Sequence, residues 1–419
     1  MRTTLAALAV VAVGYILAYL LFDRLRDRYG YVGGAEYVLI GMLLGPRVTG
    51  LLGAAQVRDL TPIVSLAVGW LGMLLGTYFR LPTLALLPAE HVATAFAEAV
   101  ATFAAALAVL LGLFRFVAGY GWPEAVVQAV TLAAVATLSS PAAVDAFVDR
   151  ARVRPPLLPV LQLTARIDAL VAVVAFGLML AVYHQGEVAP GVRPPTATEW
   201  AVINLAVGVA SGVLFHLFLG PRGERDDAQG NSRLFVALAG AIVVASGASY
   251  YLNLSPIYTT LVLGFILANS GSSHRDVTRL LLATERPVYL ALLIFAGAAW
   301  SPGPVDLLFI APLFVVVRLA ARFFGGRLAG LHVAPAELRT PGLARGLLAQ
   351  GGLAVAIAVN YSQVHPDLNP RLILTAALLS ILLFEIVAGR EAATLLERLA
   401  PREGPARPTG QLDETVPAA

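Results

Sequence analysis

One carboxylate, Asp168, lies inside a long apolar stretch of the sequence, between Leu161 and Val173. In the hydrocarbon region of a membrane a charged carboxylate costs roughly 3 kcal/mol unless it is paired, hydrated or protonated, so it is a candidate functional site. A buried carboxylate can hold a proton or a small cation, and the two ligands then compete for one position. The structural alternative is an ion pair with Arg166.

A proline, Pro141, interrupts the preceding apolar stretch directly after Ser139 and Ser140. Proline lacks an N–H and clashes with the carbonyl one turn earlier, so we expect the helix to open at the two serines. The freed carbonyls and hydroxyls would then offer oxygen ligands to a cation. A simple helix kink remains the alternative. Paired glycines, Gly351 and Gly352, predict a second break in a later stretch.

Three more charged residues lie in apolar stretches, namely Glu98, Arg318 and Arg322. An intramembrane arginine needs an anionic or carbonyl partner. Arg318 lies deeper in its apolar run, and we expect Arg322 to extend to the cytoplasmic rim. Glu98 is expected to line the cytoplasmic funnel or to pair with Arg166 or Arg318.

The composition excludes a soluble protein. Hydrophobic residues make up 58% of the chain and charged residues only 13%, whereas a soluble domain has about 25% charged residues. Cysteine is absent, which excludes disulfides and thiolate chemistry. Lysine is also absent, so a lysine-containing phosphate-binding loop is excluded. The net charge of +3 is too small to indicate nucleic-acid binding.

Apolar runs long enough to cross a bilayer recur along the chain and predict an all-α membrane protein with about thirteen transmembrane helices. The predicted spans are residues 5–21, 37–53, 61–79, 92–116, 125–148, 157–183, 200–219, 234–251, 257–268, 280–300, 305–324, 343–359 and 372–387. Residues 393–419 are polar and contain several prolines, which predicts a short, disordered cytoplasmic tail.

Arginines alternate between the predicted loops. If the N-terminus is outside and the C-terminus cytoplasmic, about 19 arginines fall on the inner side and about 6 on the outer side, as the positive-inside rule requires. This asymmetry predicts a multi-pass protein of the inner (plasma) membrane.

The stretch Tyr37-Val-Leu-Ile-Gly41-Met-Leu-Leu-Gly45 resembles Tyr258-Thr-Thr-Leu-Val-Leu-Gly264-Phe-Ile-Leu-Ala268, with Gly41 matched to Gly264. Spans one to six and eight to thirteen would then form two six-helix units that begin on opposite sides of the membrane. Inverted repeats of this kind are typical of secondary transporters.

Several motifs follow one another in a recognisable order. They are Gly41-Met-Leu-Leu-Gly45-Pro46, the glycine-rich run 66–76, Ser140-Pro-Ala-Ala-Val144, Asp168 and Gln350-Gly-Gly-Leu-Ala-Val-Ala356. In this order and spacing the chain resembles the superfamily of monovalent cation/proton antiporters, the sodium/proton and potassium/proton exchangers.

The resemblance implies two crossed, discontinuous helices beside an essential aspartate, which here is Asp168. Thr164, one turn earlier on the same helix face, corresponds to a site hydroxyl of the relatives. Arg318 corresponds to their basic residue near the breaks. Two positions depart from the family, because Ile167 and Ser140 stand where relatives carry polar or acidic residues.

The resemblance also implies a domain plan and an assembly. Residues 1–392 would form one transporter unit, with transport helices at about 92–183 and 303–392. The scaffold and dimerisation helices would lie at about 1–79 and 234–300, and a linker helix at about 199–219. We expect a homodimer in the lipid bilayer, without nucleic-acid partners.

The expected function is exchange of Na⁺, K⁺ or Li⁺ for a proton at Asp168, with no organic cofactor and no metal beyond the transported cation. Exchange is expected to be electroneutral, because Ile167 cannot titrate. An organic-anion or bile-acid-type carrier is the alternative, and it would need cationic or amide groups at the breaks. A membrane-embedded enzyme is a further alternative, which would need a catalytic cluster that the six scattered histidines do not supply.

Overall fold

The computed structural model describes residues 9, 11–13, 15–16, 34–150, 157–184, 193–219, 228–270, 274–302, 308–335, 339–340 and 342–399. Most of the first predicted span falls outside these residues. So do all three arginines of the first predicted cytoplasmic loop, Arg24, Arg26 and Arg28, and the tail from residue 400 onward.

All regular elements of the described residues are helical. The helices are α1 Ala35–Leu44, α2 Ala54–Asp59, α3 Thr61–Thr77, α4 Leu81–Leu84, α5 Ala89–Gly112, α6 Trp122–Thr137, α7 Pro141–Arg150, α8 Leu157–Val182, α9 Ala197–Leu219, α10 Ala228–Tyr251, α11 Pro256–Asn269, α12 His274–Ala299, α13 Ile310–Leu328, α14 Gly352–Val364 and α15 Pro370–Leu399. Single π-helical turns extend α5 and α13, at Leu113–Val117 and Ala329–Val333, and a 3₁₀ turn lies at Leu343–Leu347.

The predicted all-α membrane architecture is confirmed. Within the described part of the chain, 7 helices are long and apolar enough to cross a membrane, and three shorter apolar helices lie among them. The number thirteen stays a prediction. Two span boundaries were wrong: α1 ends at Leu44, ahead of Pro46, which restricts the residue before it, and α15 continues to Leu399, into the predicted tail.

The helices pack into two groups. Helices α1, α3 and α9 to α12 contact one another closely, and helices α5, α6, α8, α13 and α15 form the second group together with the half-helices α7 and α14. The site described below lies in the second group, at its border with the first. The proposed roles of these groups as scaffold and transport unit stay predictions.

Glycines bring backbones together inside the first group. The Cα of Gly41 on α1 lies against the Ile294 carbonyl on α12, and that of Gly264 on α11 lies against the Met73 carbonyl on α3. A side chain at either position would collide with backbone, so only glycine permits the contact. These two glycines are matched in the internal repeat, and each packs against a helix of the other predicted six-helix unit.

Candidate functional site

Two interrupted helices cross in the second group. Helix α6 ends at Thr137, Leu138 is extended, and α7 begins at Pro141. The second break lies between the 3₁₀ turn and Gly352, where α14 begins. The breaks contact each other directly, because the Ser140 N–H donates to the Ala349 carbonyl over 2.9 Å. Both interruptions therefore lie at the residues that the sequence predicted.

Most carbonyls at the breaks already accept a hydrogen bond. Gln350 Nε2 donates to Val135 O over 2.9 Å, Arg322 Nη2 donates to Thr137 O, Arg318 Nη2 donates to Leu138 O over 3.2 Å and to Leu348 O over 3.0 Å, and Ser139 Oγ contacts Leu347 O at 3.0 Å. The sequence predicts that these carbonyls are free to bind a cation. The structure instead shows them hydrogen-bonded to side chains that are distant in the sequence.

Asp168 lies fully buried on α8, beside the first break. Its Oδ2 accepts a hydrogen bond from Ser139 Oγ over 2.6 Å and one from Arg322 Nη1 over 2.7 Å. Its Oδ1 has no hydrogen-bond partner among the described residues. One carboxylate oxygen is thus held in place, and the other still has its lone pairs available for a ligand.

Arg322 does not extend to the cytoplasmic rim, so that prediction was wrong. Its side chain is 0% exposed, because α13 and its π-helical turn continue to Val333, well beyond Arg322. Nη1 of Arg322 lies 2.9 Å and 3.0 Å from the two carboxylate oxygens of Glu98 on α5. Glu98 also accepts from Thr102 over 2.9 Å. Glu98 therefore pairs with Arg322. The predicted partners, Arg166 and Arg318, do not pair with it.

Arg318 lies at the breaks, where the sequence predicted it. By donating to Leu138 O and Leu348 O it ties the two interrupted backbones together. The guanidinium carbon also lies 4.1 Å from the ring centroid of Phe384, a cation–π contact. The contacts of Arg318 are thus with carbonyls and a ring, and the salt bridge to Asp168 is made by Arg322.

Arg166 was expected to support Asp168 or to pair with it, and the structure places it elsewhere. Its Nη2 lies 3.5 Å from Asp145 Oδ2, with 32% of the side chain exposed. Its guanidinium also lies over the ring of Tyr78, 4.8 Å from the centroid. Although Arg166 is only two residues from Asp168, that spacing points the two side chains to different faces of α8.

The two remaining candidate hydroxyls have local roles. Thr164 is buried one turn before Asp168, and its hydroxyl donates to the Val160 carbonyl over 2.7 Å, which leaves its lone pairs available. Ser140 Oγ accepts from Ala143 N over 3.2 Å and so caps α7. Around Asp168, the candidate cation ligands are therefore Asp168 itself, Ser139 and Thr164.

A cavity of about 370 Å³ separates the two helix groups and ends at the crossed breaks. Its lining includes Ser139 and Ser140 at the inner end and the carboxylates Glu285 and Glu385 farther along. Since Ser139 lines the cavity and contacts Asp168, it lies between the cavity and the buried carboxylate.

Sequence reasoning missed Gln350 as a structural residue. It connects three elements, because Nε2 donates to Val135 O and Oε1 accepts from Ser380 over 2.7 Å. A glutamine inside an apolar stretch and next to paired glycines was the signal that could have identified it. Among the described residues, no group of three or more His, Asp or Glu side chains could hold a metal ion.

Comparisons with known proteins agree with this architecture. The profile of a family described as "Sodium/hydrogen exchanger, transmembrane" matches residues 8–398. A structure of the sodium proton antiporter MjNhaP1 from Methanocaldococcus jannaschii at pH 8 is similar to this chain, with a TM-score of 0.65 and 14% sequence identity. The superposition covers 94% of this chain and 99% of that one. An electron-microscopy structure of the same antiporter covers 96% of this chain and 99% of its own, with a TM-score of 0.66 and 14% identity. No curated protein matches. At this identity the structural likeness concerns the fold alone.

Proposed function

The chain belongs to the sodium/hydrogen exchanger family of transmembrane proteins, and we propose that it exchanges one monovalent cation for one proton at Asp168 by alternating access. Family membership establishes a membrane transporter of the antiporter class. The role of Asp168, the stoichiometry and the identity of the cation are our proposal. The observation that carries it is the position of this carboxylate, fully buried and contacted by Ser139, a residue of the cavity wall.

Arg322 stabilises Asp168 when neither a proton nor a cation is bound to it. A bare carboxylate in a dry interior would be costly, and Arg322 supplies a positive charge 2.7 Å from Asp168 Oδ2. When a proton or cation binds Asp168, Arg322 can give up this contact and keep its bonds to Glu98. The arginine thus stands in for the transported ion while Asp168 is unloaded.

The charges of four buried residues bear on the stoichiometry of exchange. Asp168, Glu98, Arg318 and Arg322 are all buried, and their formal charges sum to zero when all are ionised. Binding of one proton or one monovalent cation adds the same single charge. The loaded site therefore carries an equal charge in both directions of the cycle, which supports electroneutral exchange.

The set of cation ligands is small. Most carbonyls at the breaks already accept a hydrogen bond, from Arg318, Arg322 or Gln350, so we propose Asp168, Ser139 and Thr164 as the main oxygen ligands. We propose Na⁺, K⁺ or Li⁺ as the substrate, since all three prefer oxygen ligands. The homodimer, the plasma-membrane location and the cytoplasmic C-terminus stay predictions of the sequence.

The proposal is tested with purified protein in liposomes that hold a proton gradient and a pH-sensitive dye. Addition of Na⁺, K⁺ or Li⁺ should dissipate the gradient with at least one cation. The variant Asp168→Asn, reconstituted at the same density, should leave the gradient intact. If a cation still dissipates the proton gradient in Asp168→Asn, Asp168 is not the residue at which exchange takes place.

A further inference from the structure

Polar residues connect the half-helix α14 to the other helix group, away from the cavity. Ser65 Oγ on α3 donates to Gln363 Oε1 over 3.0 Å, and Ser255 Oγ, just before α11, donates to Asn360 Oδ1 over 3.0 Å. We call these four residues the polar seam.

The polar seam lies on the opposite side of the breaks from the cavity. On α14 the cavity lining includes Gly352 and Leu353. Asn360 is eight residues farther along the helix from Gly352, about 12 Å at 1.5 Å per residue. On α3 the cavity lining begins at Leu71, and Ser65 is six residues away in the other direction. The cavity thus lies at one end of the interface between α3 and α14, and the polar seam lies at the other end.

The polar seam is buried except for the partly exposed Gln363, and not all of its hydrogen-bonding groups have partners. Ser65, Ser255 and Asn360 are each at most 1% exposed. The side-chain amide nitrogens of Asn360 and Gln363 have no hydrogen-bond partner among the described residues. Buried donors without partners are costly, and apolar side chains would seal a helix interface without that cost. Amides and hydroxyls at this place are instead suited to an interface that opens to water.

Polar groups continue beyond the seam. Thr259, one turn after Ser255 on α11, lies 2.7 Å from Asn204 Oδ1 on α9 and 2.7 Å from Ser249 Oγ on α10. These side chains are also buried. A connected row of neutral oxygen atoms thus runs from α14 into the first helix group.

We propose that the polar seam is the closed second entrance to the transport site, through which the hydrated monovalent cation and the proton pass when α14 separates from α3 and α11. This proposal rests on the proposed function. Neutral amide and hydroxyl oxygens suit such a passage, because they can replace part of a cation's hydration shell without the charge that would hold it there. In the conformation described, the cavity reaches Ser139 from one side and the seam closes the other.

Cysteine accessibility tests the seam directly, because the natural chain contains no cysteine. The variants Ser255→Cys and Asn360→Cys would each be reconstituted in vesicles of known orientation and treated with a membrane-impermeant maleimide on either face. Two matched controls are available. Ala358→Cys introduces a thiol on α14 at a buried position two residues from Asn360, and Ala142→Cys introduces one in the cavity wall.

Both seam cysteines should react only from the face opposite the one that labels Ala142→Cys. Their reaction should be at least about tenfold faster than that of Ala358→Cys, because even a minor open state exposes the seam repeatedly. Addition of the transported cation or a change of pH should alter this rate, since the loaded site changes conformation. Seam cysteines that react no faster than Ala358→Cys, or that react from the cavity face, would overturn the proposal.

The same assay separates the seam from the proposed function. A seam that never reacts in protein that still exchanges ions overturns the second entrance alone. A seam that reacts in Asp168→Asn with an unchanged response to cations supports the second entrance and instead overturns Asp168 as the residue through which cations act.

Discussion

Arg322 Nη1 donates to Asp168 Oδ2 over 2.7 Å, across 154 positions of the sequence. The same nitrogen lies 2.9 Å from Glu98 Oε1, so one guanidinium is shared by two carboxylates from different helices. This sharing allows Asp168 to change partners while Arg322 remains paired, a property that a simple two-residue salt bridge would not have.

Replacing Asp168 by Asn should abolish exchange and leave the protein folded. The amide has nearly the same shape as the carboxylate but holds neither a proton nor a cation, and Arg322 keeps its bonds to Glu98. Dissipation of a pH gradient in vesicles measures exchange, and size-exclusion chromatography measures folding. Asp145→Asn is the matched control, because it removes a half-exposed carboxylate that contacts Arg166 and Gln162 and should leave exchange in place. Near wild-type exchange by Asp168→Asn would contradict the assignment.

The neighbouring serines should respond differently to replacement by alanine. Ser139→Ala removes a hydroxyl 2.6 Å from Asp168, so the apparent KM for the cation should rise with little change in maximal rate. Ser140→Ala removes the cap of α7 and should lower stability by about 1 kcal/mol with KM nearly unchanged. Rates as a function of cation concentration and thermal midpoints in detergent measure the two effects. Equal KM values for Ser139→Ala and the wild type would show that this break is only a kink.

The ion pair of Glu98 and Arg322 should be strongly coupled. Arg322→Gln leaves two buried carboxylates, Glu98 and Asp168, without their shared charge partner, and breaking a buried ion pair typically costs about 3–5 kcal/mol. Adding Glu98→Gln removes one of the two uncompensated charges and should restore part of that loss. Thermal or denaturant unfolding of the two single variants and the double variant in detergent gives the coupling energy. Strictly additive effects would show that Glu98 and Arg322 do not stabilise each other.

The sequence identified residues that are unusual in their local surroundings. Asp168 is a carboxylate in an apolar stretch, and Pro141 cannot continue the helix that precedes it, so both could be recognised without knowledge of any contact. The paired glycines at Gly351 and Gly352 gave the second break for the same reason.

The partners of these residues could not be predicted in the same way. Arg318 and Arg322 are one turn apart on the same face of α13, and only the packing of α13 against α5 decides which one reaches Asp168. The sequence also could not show that the freed carbonyls accept hydrogen bonds, because the donors Arg318 and Gln350 are distant from them in the sequence. The local sequence thus identified where the site lies. Which side chains contact one another there depends on how the helices pack in the folded protein.

The loop between α14 and α15 should make stability depend on pH. Burial lowers the pKa of His365 to about 4, with a smaller effect of His184, whereas an unfolded chain has a value of about 6.5. Between these values the unfolded state binds a proton that the native state does not, so stability is lost as pH falls from about 6.5 toward 4. The wild type should lose up to about 1.4 kcal/mol per pH unit more than His365→Phe, measured by unfolding in detergent. Parallel pH profiles of the two proteins would exclude this role.

Exchange should be electroneutral, because the described site offers one carboxylate that can change partners. Ile167 cannot titrate, the chain has no lysine, and a guanidinium such as that of Arg322 is a poor proton carrier. Glu98 is the residue most able to upset this prediction, but both of its oxygens contact Arg322 and one also accepts from Thr102. The membrane potential of proteoliposomes would be clamped with valinomycin and K⁺, with Na⁺ or Li⁺ as the substrate. The cation-driven pH change should be independent of the clamped potential, and no steady-state current should be measured on solid-supported membranes. If a current is found and Glu98→Gln abolishes it while exchange continues, Glu98 carries a second proton and the one-to-one stoichiometry is wrong.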